Sequence, residues 1–231
     1  MGSISFGQYY SSATINTNTK SKPLEASENR FFAALTAGPS FPVGVFSNKD
    51  FLTSTESGLA RVGYNVNTNV GYRASSNLGV ASSIFYSRYK VDQAAIDQFN
   101  AKTTSSGSAS VSADHWQYAG IVVGPMATIP IVNKLFVDFK VMAGYARANM
   151  PVVKVIEDGS SQVLDYSKER WADAFAWQLG SNLRYNFASK FCFFTNLDYN
   201  HMKPKWVDPG YSTVMQKTSV IDFNIGLGAN F

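Results

Sequence analysis

Six charged residues sit where an extended chain would turn them all to one side. Arg73, Lys140 and Arg184 face Asp138, Asp198 and Asp222. Charges sharing an interior are costly unless paired, so three of each sign read as an ion-pair network. Such a set either fills the interior as a solid polar plug or gates a narrow ion path. Two further residue types could do chemistry. His115 follows Asp114 and lies near Ser110 and Ser112, and His201 alternates with Tyr199 and Leu197. A nucleophile and its base need mutual hydrogen-bond reach, and closeness along one loop does not establish it. Both histidines are therefore expected at a rim or interface, His201 on the outward side and His115 at the mouth of a strand. Cys192 is the only cysteine, which excludes an intramolecular disulfide and a Cys-based metal site. Its alternation places it on an inner face as a small buried side chain. No catalytic residue, metal site or cofactor is expected.

The elements that must carry these residues are strands. Residues 218–231 alternate without a break: Ile221, Phe223, Ile225, Leu227, Ala229 and Phe231 on one face, with Asp222, Asn224, Gly226, Gly228 and Asn230 on the other. Residues 61–73 repeat the pattern, with Val62, Tyr64, Val66, Val70 and Tyr72 opposing Asn65, Asn67, Asn69, Gly71 and Arg73. The segments 31–41, 78–89, 135–146, 175–187 and 191–202 follow suit. Residues 116–129 complete the set of eight segments. Their parity is ambiguous because Ile121, Val122 and Val123 are consecutive, and Pro125 suggests a bulge or register change there.

The connections alternate in length. Those at 74–77, 130–133 and 188–190 are short, and those at 43–57, 90–114, 149–170 and 203–217 are long. An up-and-down membrane barrel sorts its loops in this way, short on the periplasmic side and long outside. The polar face is also rich in glycine, as suits the narrow interior of an eight-stranded barrel, which has room for side chains but not for an open channel. Tyr72, Tyr145, Tyr185 and Phe231 stand on the other face near strand ends, where interfacial aromatics are expected. A soluble barrel with its apolar face inward around a ligand is the second reading. The expectation is all-β: an eight-stranded antiparallel up-and-down transmembrane β-barrel over 30–231. Residues 1–29 are expected to form a periplasmic extension and a contact for a larger complex.

Bulk properties agree. The chain has 231 residues, 45% of them hydrophobic, with 12 Tyr and 17 Phe. No apolar run reaches the ~18 residues of a membrane helix. The net charge of +4 is scattered rather than gathered in a stripe, which argues against a nucleic-acid partner. The opening residues Met1–Phe6 show neither a basic start nor a long apolar stretch. The chain therefore reads as a mature or recombinant form, or as one that is not exported.

Strand number, loop alternation, a polar glycine-rich lumen and a terminal Phe resemble the class of small outer-membrane barrels that includes the OmpA transmembrane domain and OmpX. Gly38-Pro39-Ser40-Phe41-Pro42 and Gly124-Pro125-Met126 resemble outer-membrane β-barrel domains common in Bacteroidetes. The resemblance implies the bacterial outer membrane, with outer-membrane lipids and lipopolysaccharide as surroundings. It also implies that the barrel assembly machinery reads the last strand, here Ile221, Phe223, Ile225, Leu227 and Phe231. The role it implies is structural, surface-interacting or that of a complex subunit, with a protein partner reached through the loops or residues 1–29. Barrels of this size also include lipid A-modifying enzymes and narrow low-conductance pores, which stand as the alternatives. Neither histidine shows the His-x-Ser spacing of the deacylases.

Overall fold

The computed structural model describes residues 30–49, 57–103, 110–157, 160–164, 171–206 and 213–231. The 1–29 extension lies outside the described residues. Eight strands close into one antiparallel barrel: β1 Phe31–Val43, β2 Gly63–Arg73, β3 Leu78–Lys90, β4 His115–Val132, β5 Leu135–Asn149, β6 Trp171–Tyr185, β7 Phe191–Met202 and β8 Thr218–Asn230. Each strand pairs with its neighbour in the chain, and β8 returns to β1 to close the ring. Phe231 fastens the seam, its N–H donating to the Phe31 carbonyl at 2.8 Å. Closure matters because a strand edge left open in hydrocarbon would carry unsatisfied backbone groups.

The alternation has the polarity expected of a membrane barrel. Leu35, Val80, Ile84, Phe139, Val141, Leu179, Leu197, Phe223 and Ile225 are exposed on the outside, whereas Asn65, Asn67, Asp138, Lys140, Arg184, Asn196 and Asp198 are buried within. Apolar side chains gain by leaving water, so this exterior belongs in lipid. Tyr72, Tyr185, Phe191 and Phe231 ring the short-turn end, and Tyr145, Trp171 and the Trp177–Tyr199 pair ring the other.

The fourth strand corrects one expectation. β4 holds a single register past Pro125, with Val123 opposite Ala143 and Met126 opposite Lys140, and the irregularity falls instead between Pro130 and Val132. Two Gly-Pro pairs explain how proline is tolerated. A Cβ on Gly124 would overlap the Val141 carbonyl oxygen, and one on Gly38 would overlap that of Phe223. The missing side chain lets the strands draw together where proline cannot donate. The strand's parity was unreadable because part of its inner face is apolar. Trp116, Tyr118, Val122 and Met126 are buried, while Ile121 and Val123 face out.

The long connections carry structure of their own. The apolar residues Val153, Val155 and Ile156 belong to a separate three-stranded sheet. In it Val153–Glu157 pairs with Ser160–Leu164 and with Ser110–Ala113 from the preceding long loop. A helix, Gln93–Thr103, precedes that sheet.

Candidate functional site

The barrel interior is a ladder of side chains, and strand pairing sets who meets whom. One row runs Lys140, Gly180, Asp198, Asp222, Ser40 across five adjacent strands. Lys140 Nζ lies 3.0 Å from Asp198 Oδ1, with both side chains fully buried. The same ammonium donates to Asn69 Oδ1 at 3.1 Å. Gly180 stands between them because a Cβ there would collide with the Asp198 carboxylate.

The row toward the short-turn end holds Asp138, Asn182, Asn196 and Asn224. Asp138 accepts from Thr128 Oγ1 at 2.7 Å and pairs with Arg184 Nη2 at 3.5 Å. The Arg184 guanidinium is held between two rings, 5.0 Å from the Phe32 centroid and 5.0 Å from that of Phe136. Such contacts add ~1 kcal/mol each, more when desolvated. Arg73 sits at the same end, 5.9 Å from the Phe136 ring.

The structure therefore brings four of the six interior charges into two ion pairs. Asp222 is placed otherwise: its Oδ2 accepts from Asn200 at 2.7 Å. It cannot meet Arg73. Asp222 is level with Ser40 of β1, while the Arg73 N–H bonds to the Arg30 carbonyl. Those positions lie ten residues apart on one chain, about 33 Å along a strand.

Above these rows a cluster of aromatic rings, the stopper, sits at the long-loop end of the barrel, and sequence reasoning missed it. A short 3₁₀ turn, Gly44–Ser47, follows β1 and inserts Phe46, which is 0% exposed. Phe46 meets Tyr89, Trp116 and Tyr118 edge-on at 5.4–5.8 Å. Trp116 Nε1 donates to the Gly58 carbonyl at 2.9 Å, and Trp206 packs on Trp116 at 6.0 Å. Lys49 Nζ, 2.7 Å from Asp92 Oδ2, ties this loop to the base of the next. That hydrogen bond holds the Asp92 carboxyl below its ordinary value. Phe46 lies in a long loop with no periodicity to mark it; the signal is only the inward parity of Tyr89, Trp116 and Tyr118.

The histidines lie outside the lumen. His115 Nδ1 is 2.7 Å from Asp114 Oδ1 and 3.3 Å from Arg88 Nη2, and the His115 contact depresses the Asp114 carboxyl. His201 Nδ1 is 2.8 Å from Ser219 Oγ, and its ring lies against Trp177. An acid–histidine pair at the start of β4 and a serine–histidine pair on β7 and β8 stand with β5 and β6 between them. They do not combine into one triad. Cys192 is buried, and among the described residues no His, Cys, Asp or Glu cluster suits a metal ion.

Closed, apolar outside and polar within, the chain is a barrel of the outer-membrane type. Neisserial surface protein A shares the fold, with a TM-score of 0.50 at 11% identity over 87% of this chain and 97% of that one. Two other solved structures also match. A major outer membrane protein from Thermus thermophilus has a TM-score of 0.47, 8% identity, and covers 87% of this chain and 99% of its own. Ail, the attachment invasion locus protein of Yersinia pestis, has a TM-score of 0.43, 15% identity, and covers 87% and 98%. No protein-family model matches the chain, and no curated protein matches it.

Proposed function

We propose that this chain is an integral barrel of the bacterial outer membrane with a plugged lumen, acting in envelope structure, in surface interaction or as a subunit of a larger complex. The observation that carries the reading is the filled interior. Ion pairs and amides occupy the rows of the lumen, and fully buried Phe46 stops its outer mouth. What remains to act is the outer end, where two long loops contribute a three-stranded sheet and a helix. Loop surfaces held on a rigid frame are suited to recognition, so a protein partner is expected there, with residues 1–29 as the other contact. Outer-membrane lipids and lipopolysaccharide surround the apolar belt. The exposed face of β8, with Ile221, Phe223, Ile225, Leu227 and Phe231, is offered to the barrel assembly machinery.

Planar-bilayer recording tests the plug. No steady current is expected from the native barrel or after Arg184→Gln with Asp222→Asn. Steady conductance that changes on this neutralisation would favour the pore.

One observation favours a lipid-modifying enzyme: the 2.8 Å contact between His201 and Ser219 on the outward face. Among the described residues this pair has no recorded acid contact, and a serine nucleophile needs its base oriented by a third group. The pair is therefore read as interfacial. His201→Ala and Ser219→Ala should leave the acyl chains of lipid A unchanged, as should His115→Ala; altered chains in the parent strain, restored by a variant, would reverse the reading.

A further inference from the structure

Among the described residues the six interior charges balance in total but not level by level. Toward the short-turn end Arg73 and Arg184 lie near Asp138. Toward the mouth two carboxylates, Asp198 and Asp222, share one ammonium, Lys140. Asp92 lies further out, spoken for by Lys49. With both carboxyls ionised, the Asp198–Asp222 level carries one negative charge in excess, among side chains that are themselves buried.

Neutral oxygens cluster at the same place. Asn196 and Asn224, both 0% exposed, are cross-strand neighbours one step along from Asp198 and Asp222. Their amide orientations are fixed by their nitrogens. Asn196 Nδ2 donates to Thr36 Oγ1 at 3.2 Å, and Asn224 Nδ2 donates to Asn65 Oδ1 at 2.8 Å. That leaves Asn196 Oδ1, Asn224 Oδ1, Asn182 Oδ1 and Asp222 Oδ1 buried with no hydrogen-bond partner among the described residues. A buried acceptor left unmatched costs ~1–3 kcal/mol, and four on three adjoining strands call for a common partner. That partner must be positively charged or a donor, small, and content with oxygen ligands.

We infer that this level of the lumen binds one small monovalent cation, sodium or potassium, through Asp222, Asn224 and Asn196. Oxygen-only donors suit a hard cation rather than a transition metal. A single excess carboxylate matches a charge of one, whereas a divalent ion would leave the site over-neutralised beside Lys140. The cation would tie β7 to β8 and so strengthen the seam side of the barrel without passing current. The inference rests on the plugged lumen, since an open aqueous pore would hydrate these oxygens.

Thermal unfolding of the folded barrel in detergent tests it, at one ionic strength, with sodium, potassium or choline as the only cation. A saturable rise in Tm with sodium or potassium over choline is expected, roughly 3 °C at tenfold excess over the dissociation constant. The rise should vanish in Asp222→Asn, whose folding is checked by heat-modifiable migration on a gel. Thallium, a potassium mimic, should give an anomalous-scattering peak between Asp222 and Asn196 in crystals of the native protein, which needs no variant. Equal Tm in all three salts with no thallium peak would mean that only water satisfies these oxygens, and the inference falls while the plug stands. A cation effect retained in Asp222→Asn would overturn the assigned ligands. Steady current through the native barrel would remove the plug and the inference together.

Discussion

Lys140 shows how much a single interior side chain depends on its neighbours. Its ammonium is fully buried, 3.0 Å from Asp198 and 3.1 Å from Asn69. Removing one member of a buried pair strands the other charge, at a cost of several kcal/mol, although replacing both can be nearly neutral. Lys140→Met should therefore destabilise the folded barrel by about 3 kcal/mol in urea titration. Adding Asp198→Asn should recover much of that loss; a double variant no better than the single one would deny the pairing. The inward placement of all six charges could be read from strand alternation alone, because period two leaves no choice of face. Who pairs with whom could not. Lys140 and Asp198 are far apart in the chain, and their meeting depends on β5, β6 and β7 aligning at Gly180. Likewise Asp222 and Arg73 look complementary in the sequence and lie at opposite ends of the lumen.

The loop after β1 and the strand β4 were the hardest elements to read, for related reasons. Strands with one wet and one greasy face announce themselves, as β2 and β8 do. β4 has apolar residues on both faces, because its inner side supplies Trp116 and Tyr118 to the stopper. The stopper's central residue arrives from Gly44–Ser47, where no period operates. Phe46 touches three rings and is wholly buried, so truncation should leave a cavity that the stiff barrel wall cannot collapse. Phe46→Ala is expected to cost about 3 kcal/mol, read by urea unfolding followed through the emission of the nearby Trp116 and Trp206. Bilayer recordings of the same variant should stay silent, since the ion-pair rows beneath remain filled. Unchanged stability would show that Phe46 rests on the mouth without supporting it.

The barrel as a body makes one demand that no soluble protein would make, namely that its outward face be greasy in the middle and tolerant at its edges. The exposed belt runs through Leu35, Ile84, Val141, Leu179, Leu197 and Ile225, with Gln117, Arg147 and Asp173 on outward positions toward the long-loop end. Arg147 and Asp173 pair there at 2.9 Å, as polar groups can once they reach the headgroups. An arginine introduced on the lipid face should then cost stability according to its depth. Ile225→Arg and Leu197→Arg, near mid-belt, are expected to lose roughly 2–4 kcal/mol in lipid bilayers, and Gln117→Arg about 0–1 kcal/mol. The profile should flatten in short-chain detergent, where the added charge can reach water. A soluble barrel with these positions in water would show no dependence on depth in any medium, because a surface arginine there costs almost nothing. A flat profile in bilayers would place the outward face in water and take the membrane assignment, the girdles and the proposed assembly role of β8 with it.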